Sequence, residues 1–188
     1  MMDRIYRHRG VAVFALACVL WVLVLVIYGW RTWVRPESEY SDFFVYYRAA
    51  DRLARGEWFD LYSVFTLFTD GKSPFRYTPA SLIFFRGYVF WSYPVARFLH
   101  FLTQYASFTL AYVLLGWTIT RLLPARYRRH ALFLSGLCVL LTLRYAIDAL
   151  WCGQVPGLIL LCQAGALASF AWRKKAWAGY LAGVGLLI

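Results

Sequence analysis

Seven side chains carry most of the chemistry open to this sequence: Glu39, Asp42, Arg76, Tyr77, Arg144, Asp148 and Gln154. A carboxylate held at a lipid–water boundary can take a proton from a hydroxyl, and arginines beside it can bind the phosphate of a lipid carrier. Such a pairing suits transfer of a group from a phosphorylated lipid. Asp42 is the candidate base and Glu39 a second carboxylate of the same loop. Each residue also has a plainer use. Asp42 in the first turn of a helix simply favours the helix dipole, and Glu39 can be a solvated loop acid. Arg144 and Asp148, four positions apart, can neutralise each other, and Arg144 can snorkel to headgroups. Arg76-Tyr77-Thr78-Pro79 can be a turn, since proline forces the residue before it out of the helical region. Gly153-Gln154 can be a tight turn between helices.

The element that must hold Asp42 is the segment 42–56. Phe43, Tyr46, Tyr47, Ala50 and Leu53 recur every three or four positions, with Arg48, Asp51, Arg52 and Arg55 opposite. That spacing predicts a short amphipathic helix lying on a membrane surface. Ser41 suits the cap, and Gly56 suits a left-handed stop.

The rest of the chain reads as an all-α membrane protein. Of its 188 residues 62% are hydrophobic and only 15% charged, where a soluble domain carries about a quarter charged. Residues 11–30 hold no charge, enough to cross a hydrocarbon core of about 30 Å. They read as an uncleaved signal anchor, because Tyr28-Gly29-Trp30-Arg31 stands where a cleavage site would be. Further spans fall at about 98–120, 131–150 and 155–172. The third either ends at Arg144 or carries Arg144 and Asp148 near its far end. Residues 80–91, interrupted by Arg86 and Gly87, predict an interfacial or re-entrant piece. A last apolar run, 176–188, extends only about 20 Å as a helix and reads as the start of a fifth helix. The whole is one transmembrane domain, the N-terminal part of a longer protein.

Charge gives the sidedness. The net charge is +11, but half of the basic residues sit at 1–9, 121–130 and 173–175, beside apolar runs. Alternating spans put these three segments on one side, which the positive-inside rule makes cytoplasmic. The loop 31–97 and the turn 148–154 then share the outer face of the cytoplasmic membrane. Topology accounts for these clusters, so no nucleic acid partner is expected. The cysteines, Cys18, Cys138, Cys152 and Cys162, read as small buried hydrophobes without a disulfide framework. The common soluble-enzyme motifs are missing, and His8, His100 and His130 lie far apart, so no metal is expected.

The order of these features resembles glycosyltransferase family 87, polytopic transferases of the GT-C fold. The resemblance rests on one span, then Ser41-Asp42-Phe43 with Val45-Tyr46-Tyr47 and Gly56, a following Tyr62, then Phe75-Arg76-Tyr77-Thr78-Pro79, and an outer Gly153-Gln154 before the fourth span. It implies a GT-C-like helical bundle and a polyprenyl-phosphate-linked donor of mannose or a related hexose. Transfer would go to a glycolipid or glycan acceptor at the outer face, with Asp42 as general base and Arg76, Tyr77 and Gln154 lining the site. No separate cofactor is implied, and the 188-residue piece is expected to be inactive by itself. The chain departs from the family pattern at Pro156, where asparagine is usual. Two rival functions are a transporter or flippase of lipid-linked sugars and a non-catalytic membrane subunit. Transporters favour polar or broken helices at the midplane, and spans one, two and four read as free of internal charge.

Overall fold

The computed structural model describes residues 2–34, 42–57 and 82–187. Glu39, Ser41, Tyr62, Arg76 and Tyr77 lie outside the described residues. The described chain is almost wholly helical: α1 (Met2–Val34), α2 (Asp42–Ala54), α3 (Leu82–Arg86), α4 (Tyr93–Leu122), α5 (Ala131–Cys152), α6 (Pro156–Ala171) and α7 (Lys175–Leu187). Short 3-10 turns at Gly87–Phe90 and Ala125–His130 lead into α4 and α5.

Among the described residues three stretches are helices long and apolar enough to cross a membrane, His8–Val34, Tyr93–Leu122 and Ala131–Cys152. Their outward faces are apolar: Leu16, Val19, Val22, Val26 and Ile27 of α1 are each about half exposed, a surface far larger than water tolerates. α6 has 16 residues and spans only about 24 Å. It packs along the middle of α4, from Gly157 beside Gln104 to Trp172, whose ring meets Trp117 at 4.6 Å.

Glycines set how closely the long helices approach. A Cβ on Gly136 of α5 would stand 2.9 Å from the Cα of Phe14 in α1, so the two backbones touch there. Further along, Trp21 stacks on Tyr105 at 4.8 Å and donates its indole N–H to Thr109 at 2.9 Å. Phe101, Phe108, Ala146, Ala149 and Leu150 complete this core.

The contacts define two ends of the bundle. Gly10 and Phe14 meet α5 near Phe133 and Gly136, so the start of α1 joins the α4–α5 connection and the end of α6. The three basic segments therefore gather at this end. At the other, Trp33 meets Phe98 at 5.2 Å, Tyr28 meets Trp151 at 6.0 Å, and the Arg31 guanidinium lies 4.1 Å above the Trp151 ring.

At that second end α2 packs as its spacing predicts. Phe43, Tyr46, Ala49 and Ala50 are buried, while Arg48 is exposed and Asp51 pairs with Arg55 at 2.7 Å. Gly56 ends it at φ 81°, the left-handed stop. Leu82 and Phe85 of α3 are buried with the α2 residues, whereas Ile83, Phe84 and Phe90 remain exposed. A short two-faced segment of this kind suits an interfacial piece.

Two expectations need correction. The second helix starts before residue 98, so that Arg97 lies one turn inside α4 and is buried at 6% exposure, because Ser92 and Pro94 start the helix earlier. The cysteines are free thiols, yet none is buried: Cys18 and Cys138 are exposed and Cys152 and Cys162 half-buried.

Candidate functional site

Asp42 opens α2, in the first turn where the helix dipole favours a negative charge. Its ring-bearing neighbour anchors it. Phe43 is fully buried, stacks on His100 at 4.5 Å with an interplanar angle of 18°, and meets Tyr88 edge-on at 5.5 Å. Burying one such ring stabilises the fold by roughly 1.5–3 kcal/mol. The start of α2 thus has one seat on α4.

The turn between α5 and α6 is set against the same seat. α5 stops at Gly153, which adopts φ 70°, a conformation that other residues take only at a cost. A Cβ there would also stand 2.7 Å from the Cβ of Phe43. With hydrogen at that position the turn closes, and Gln154 Nε2 donates to Asp42 Oδ2 at 2.9 Å. A carboxylate only accepts, so the amide nitrogen is the group that faces it. Among the described residues the other oxygen of Asp42 has no hydrogen-bond partner.

His100 supports both partners from beneath. Its Nε2 lies 3.1 Å from the carbonyl oxygen of Gly153 and 3.3 Å from that of Gln154. Two carbonyls only accept, so Nε2 carries the proton and donates to them. Nδ1 is buried with no partner among the described residues. The imidazole therefore touches the turn through its edge and the start of α2 through its face.

One turn further along α4, Gln104 is buried at 1% exposure and its Oε1 accepts from the N–H of Gly157 at 3.1 Å. This satisfies one of the amides left open at the start of α6. Pro156, at the first position of α6, has no N–H to satisfy and suits that place. The departure from the family pattern at Pro156 is thus a helix start.

Of the residues singled out from the sequence, Asp42 and Gln154 come together. Arg144 and Asp148 do not join them. Both lie within α5, their closest atoms are 3.9 Å apart, and the side chains are 95% and 68% exposed, so they form an outward-facing pair of small energetic weight. Glu39, Arg76 and Tyr77 are outside the described residues. His100 and Gln104 were missed. Their signal is a buried polar stripe on an apolar helix, Arg97, His100, Gln104 and Ser107, at spacings of three and four.

Two tyrosines fix the rim. Tyr47 O–H donates to the carbonyl of Trp91 at 2.9 Å and Tyr88 O–H to Thr103 at 3.0 Å. Burial raises the Tyr88 phenol above its ordinary value, against the lowering effect of the Thr103 bond. Tyr47 is raised by burial and then by Asp51, with Arg55 acting against them.

Among the described residues the arrangement holds the Asp42 carboxylate by one oxygen, and a carboxylate oxygen that stays accessible can accept a proton, the requirement for a general base. Among the described residues no group of three or more metal-ligating side chains occurs. No protein-family model matches the sequence, and no curated protein and no solved structure matches it.

Proposed function

We propose that this chain is part of an integral-membrane glycosyltransferase of GT-C type, similar to glycosyltransferase family 87. In this reading a sugar, mannose or a related hexose, moves from a polyprenyl-phosphate donor to an acceptor hydroxyl at the outer face of the cytoplasmic membrane. Asp42 is the base that takes the hydroxyl proton. Gln154 holds the carboxylate in place, and His100 positions both. The observation that carries the reading is the 2.9 Å bond between Gln154 and Asp42, which joins two candidate residues 112 positions apart in the sequence.

The energetics agree with those roles. A hydrogen bond to a charged group contributes roughly 1.5–3 kcal/mol, enough to hold one carboxylate rotamer. A positioned base typically contributes about 10²–10⁴ in rate. The basic segments gathered at the opposite end support a sidedness with the Asp42 end facing outward.

A second reading, movement of a lipid-linked sugar without transfer, has one observation on its side. Arg97, His100, Gln104 and Ser107 are buried along α4, and polar groups inside a spanning helix are what transporters use. Membranes containing the full-length protein or its Asp42→Asn variant, given a radiolabelled polyprenyl-phosphate sugar, separate the two. The transferase reading expects a glycosylated product that the variant makes about 10²–10⁴-fold more slowly. Equal product from both removes Asp42 as the base, and lipid translocation without any product favours the transporter.

A further inference from the structure

A recess at the basic end of the bundle, remote from Asp42 and Gln154, has the chemistry of a lipid site. Between α1, α4 and α5 lies a cavity of about 310 Å³ walled by Phe14, Trp21, Tyr112, Val113, Trp117 and Leu132. That volume is near the lower end of sizes that hold a small ligand. The helices are pinned around it by their glycines. Gly136 brings α5 onto Phe14, and a Cβ on Gly116 of α4 would stand 3.1 Å from the Ser135 hydroxyl of α5.

The hydroxyls of two threonines along this wall are already engaged. Thr109 Oγ1 donates to Tyr105 O at 2.8 Å while accepting from Trp21, and Thr120 Oγ1 donates to Gly116 O at 2.7 Å. What the cavity offers is apolar surface. Two of its wall residues, Trp117 and Thr120, also line a second recess of about 390 Å³ whose other walls are Arg121 and Arg128. Both arginines are exposed. Arg121 and Arg128 belong to a segment, residues 121–130, that carries four arginines and no acid. Arg121 is in the last turn of α4, where a spanning helix leaves the hydrocarbon. Apolar slot and paired guanidinium groups thus follow one another in the order of an acyl chain and its headgroup.

We propose that this recess binds an anionic glycerophospholipid, with an acyl chain in the slot and the phosphate on Arg121 and Arg128. Arginine matches phosphate oxygens with two parallel N–H donors, and basic pockets between spanning helices recognise anionic headgroups. The charge selects the lipid, and the cavity separates a bound molecule from the general attraction of a basic surface. The site is independent of sugar transfer and stands whether or not Asp42 is a base.

Native mass spectrometry of the full-length protein in detergent tests it, with phosphatidylglycerol and phosphatidylcholine of identical chains as probes. The expected result is roughly tenfold stronger retention of phosphatidylglycerol. The double variant Arg121→Gln/Arg128→Gln, altered only at exposed positions, loses that preference. Substituting Arg173, Lys174 and Lys175 by glutamine keeps it. Val113→Trp, which fills the slot from an exposed position, lowers retention of phosphatidylglycerol. Equal retention of the two lipids overturns the proposal, as does a preference lost equally on changing residues 173–175. Full displacement by inorganic phosphate would mean an anion site without the slot. A dimer broken by Val113→Trp would mean that a second copy of the chain occupies the groove.

Discussion

Gly153 stands directly against Phe43: a Cβ on the glycine would lie 2.7 Å from the Cβ of the phenylalanine. The α5–α6 turn and the start of α2 can therefore meet only through a residue without a side chain. Gly56 provides a control, since it also has a positive φ of 81° but nothing within 4 Å among the described residues. Gly56→Ala should cost about 1 kcal/mol, the backbone term alone. Gly153→Ala should cost roughly 3 kcal/mol, backbone and collision together. Thermal unfolding of the full-length protein in detergent measures both, and equal losses would show that the close approach does not matter.

Gln154 should act through Asp42. Gln154→Ala removes the donor to the carboxylate and should slow sugar transfer by roughly 10- to 100-fold. Gln154→Glu sets a second acid beside the first and should be worse. Added to Asp42→Asn, the alanine change should lower the rate little further, because the two residues share one interaction. Losses that multiply in the double variant would separate the two residues.

His100 holds the turn by its edge and Phe43 by its face, and two substitutions divide those roles. His100→Phe keeps an aromatic face but leaves the carbonyls of Gly153 and Gln154 without their donor, at a cost of roughly 1–3 kcal/mol. His100→Ala also opens a cavity and should cost roughly 3–5 kcal/mol. Unfolding curves rank the two variants, and an unchanged His100→Phe protein would remove the hydrogen bonds from the account.

The rim tyrosines give the fold a dependence on alkaline pH. Burial raises the Tyr88 phenol, and burial with Asp51 raises that of Tyr47, above the ordinary 10.0. The folded state holds these protons more tightly than the unfolded chain does. Their contribution is thus fully present below 10.0 and is lost as pH rises through the folded values. A Tyr47→Phe/Tyr88→Phe variant should show a flatter decline in stability above that pH, read by unfolding across an alkaline series.

Periodicity made α2 legible, because one helix carries its own instructions in residues three and four apart. Its buried face, its acidic first turn and its left-handed stop at Gly56 all follow from local chemistry. The Arg144–Asp148 pair was legible for the same reason, and its two side chains are exposed. The meeting of Asp42 with Gln154 was not legible as a contact, since packing of α4 and α6 decides which distant residues touch. His100 and Gln104 escaped notice because histidines were weighed as metal ligands. A polar stripe running through a spanning helix holds backbone termini and carbonyls instead.

The bond between positions 42 and 154 also sets an order on biogenesis. As the ribosome delivers the chain, the first surface helix emerges 112 residues before its partner, with α4, α5 and their connection still to be synthesised and inserted. Its carboxylate must wait unclasped until the α5–α6 turn arrives, so the site is completed late, and a nascent protein stalled before Gly153 has no means of forming it.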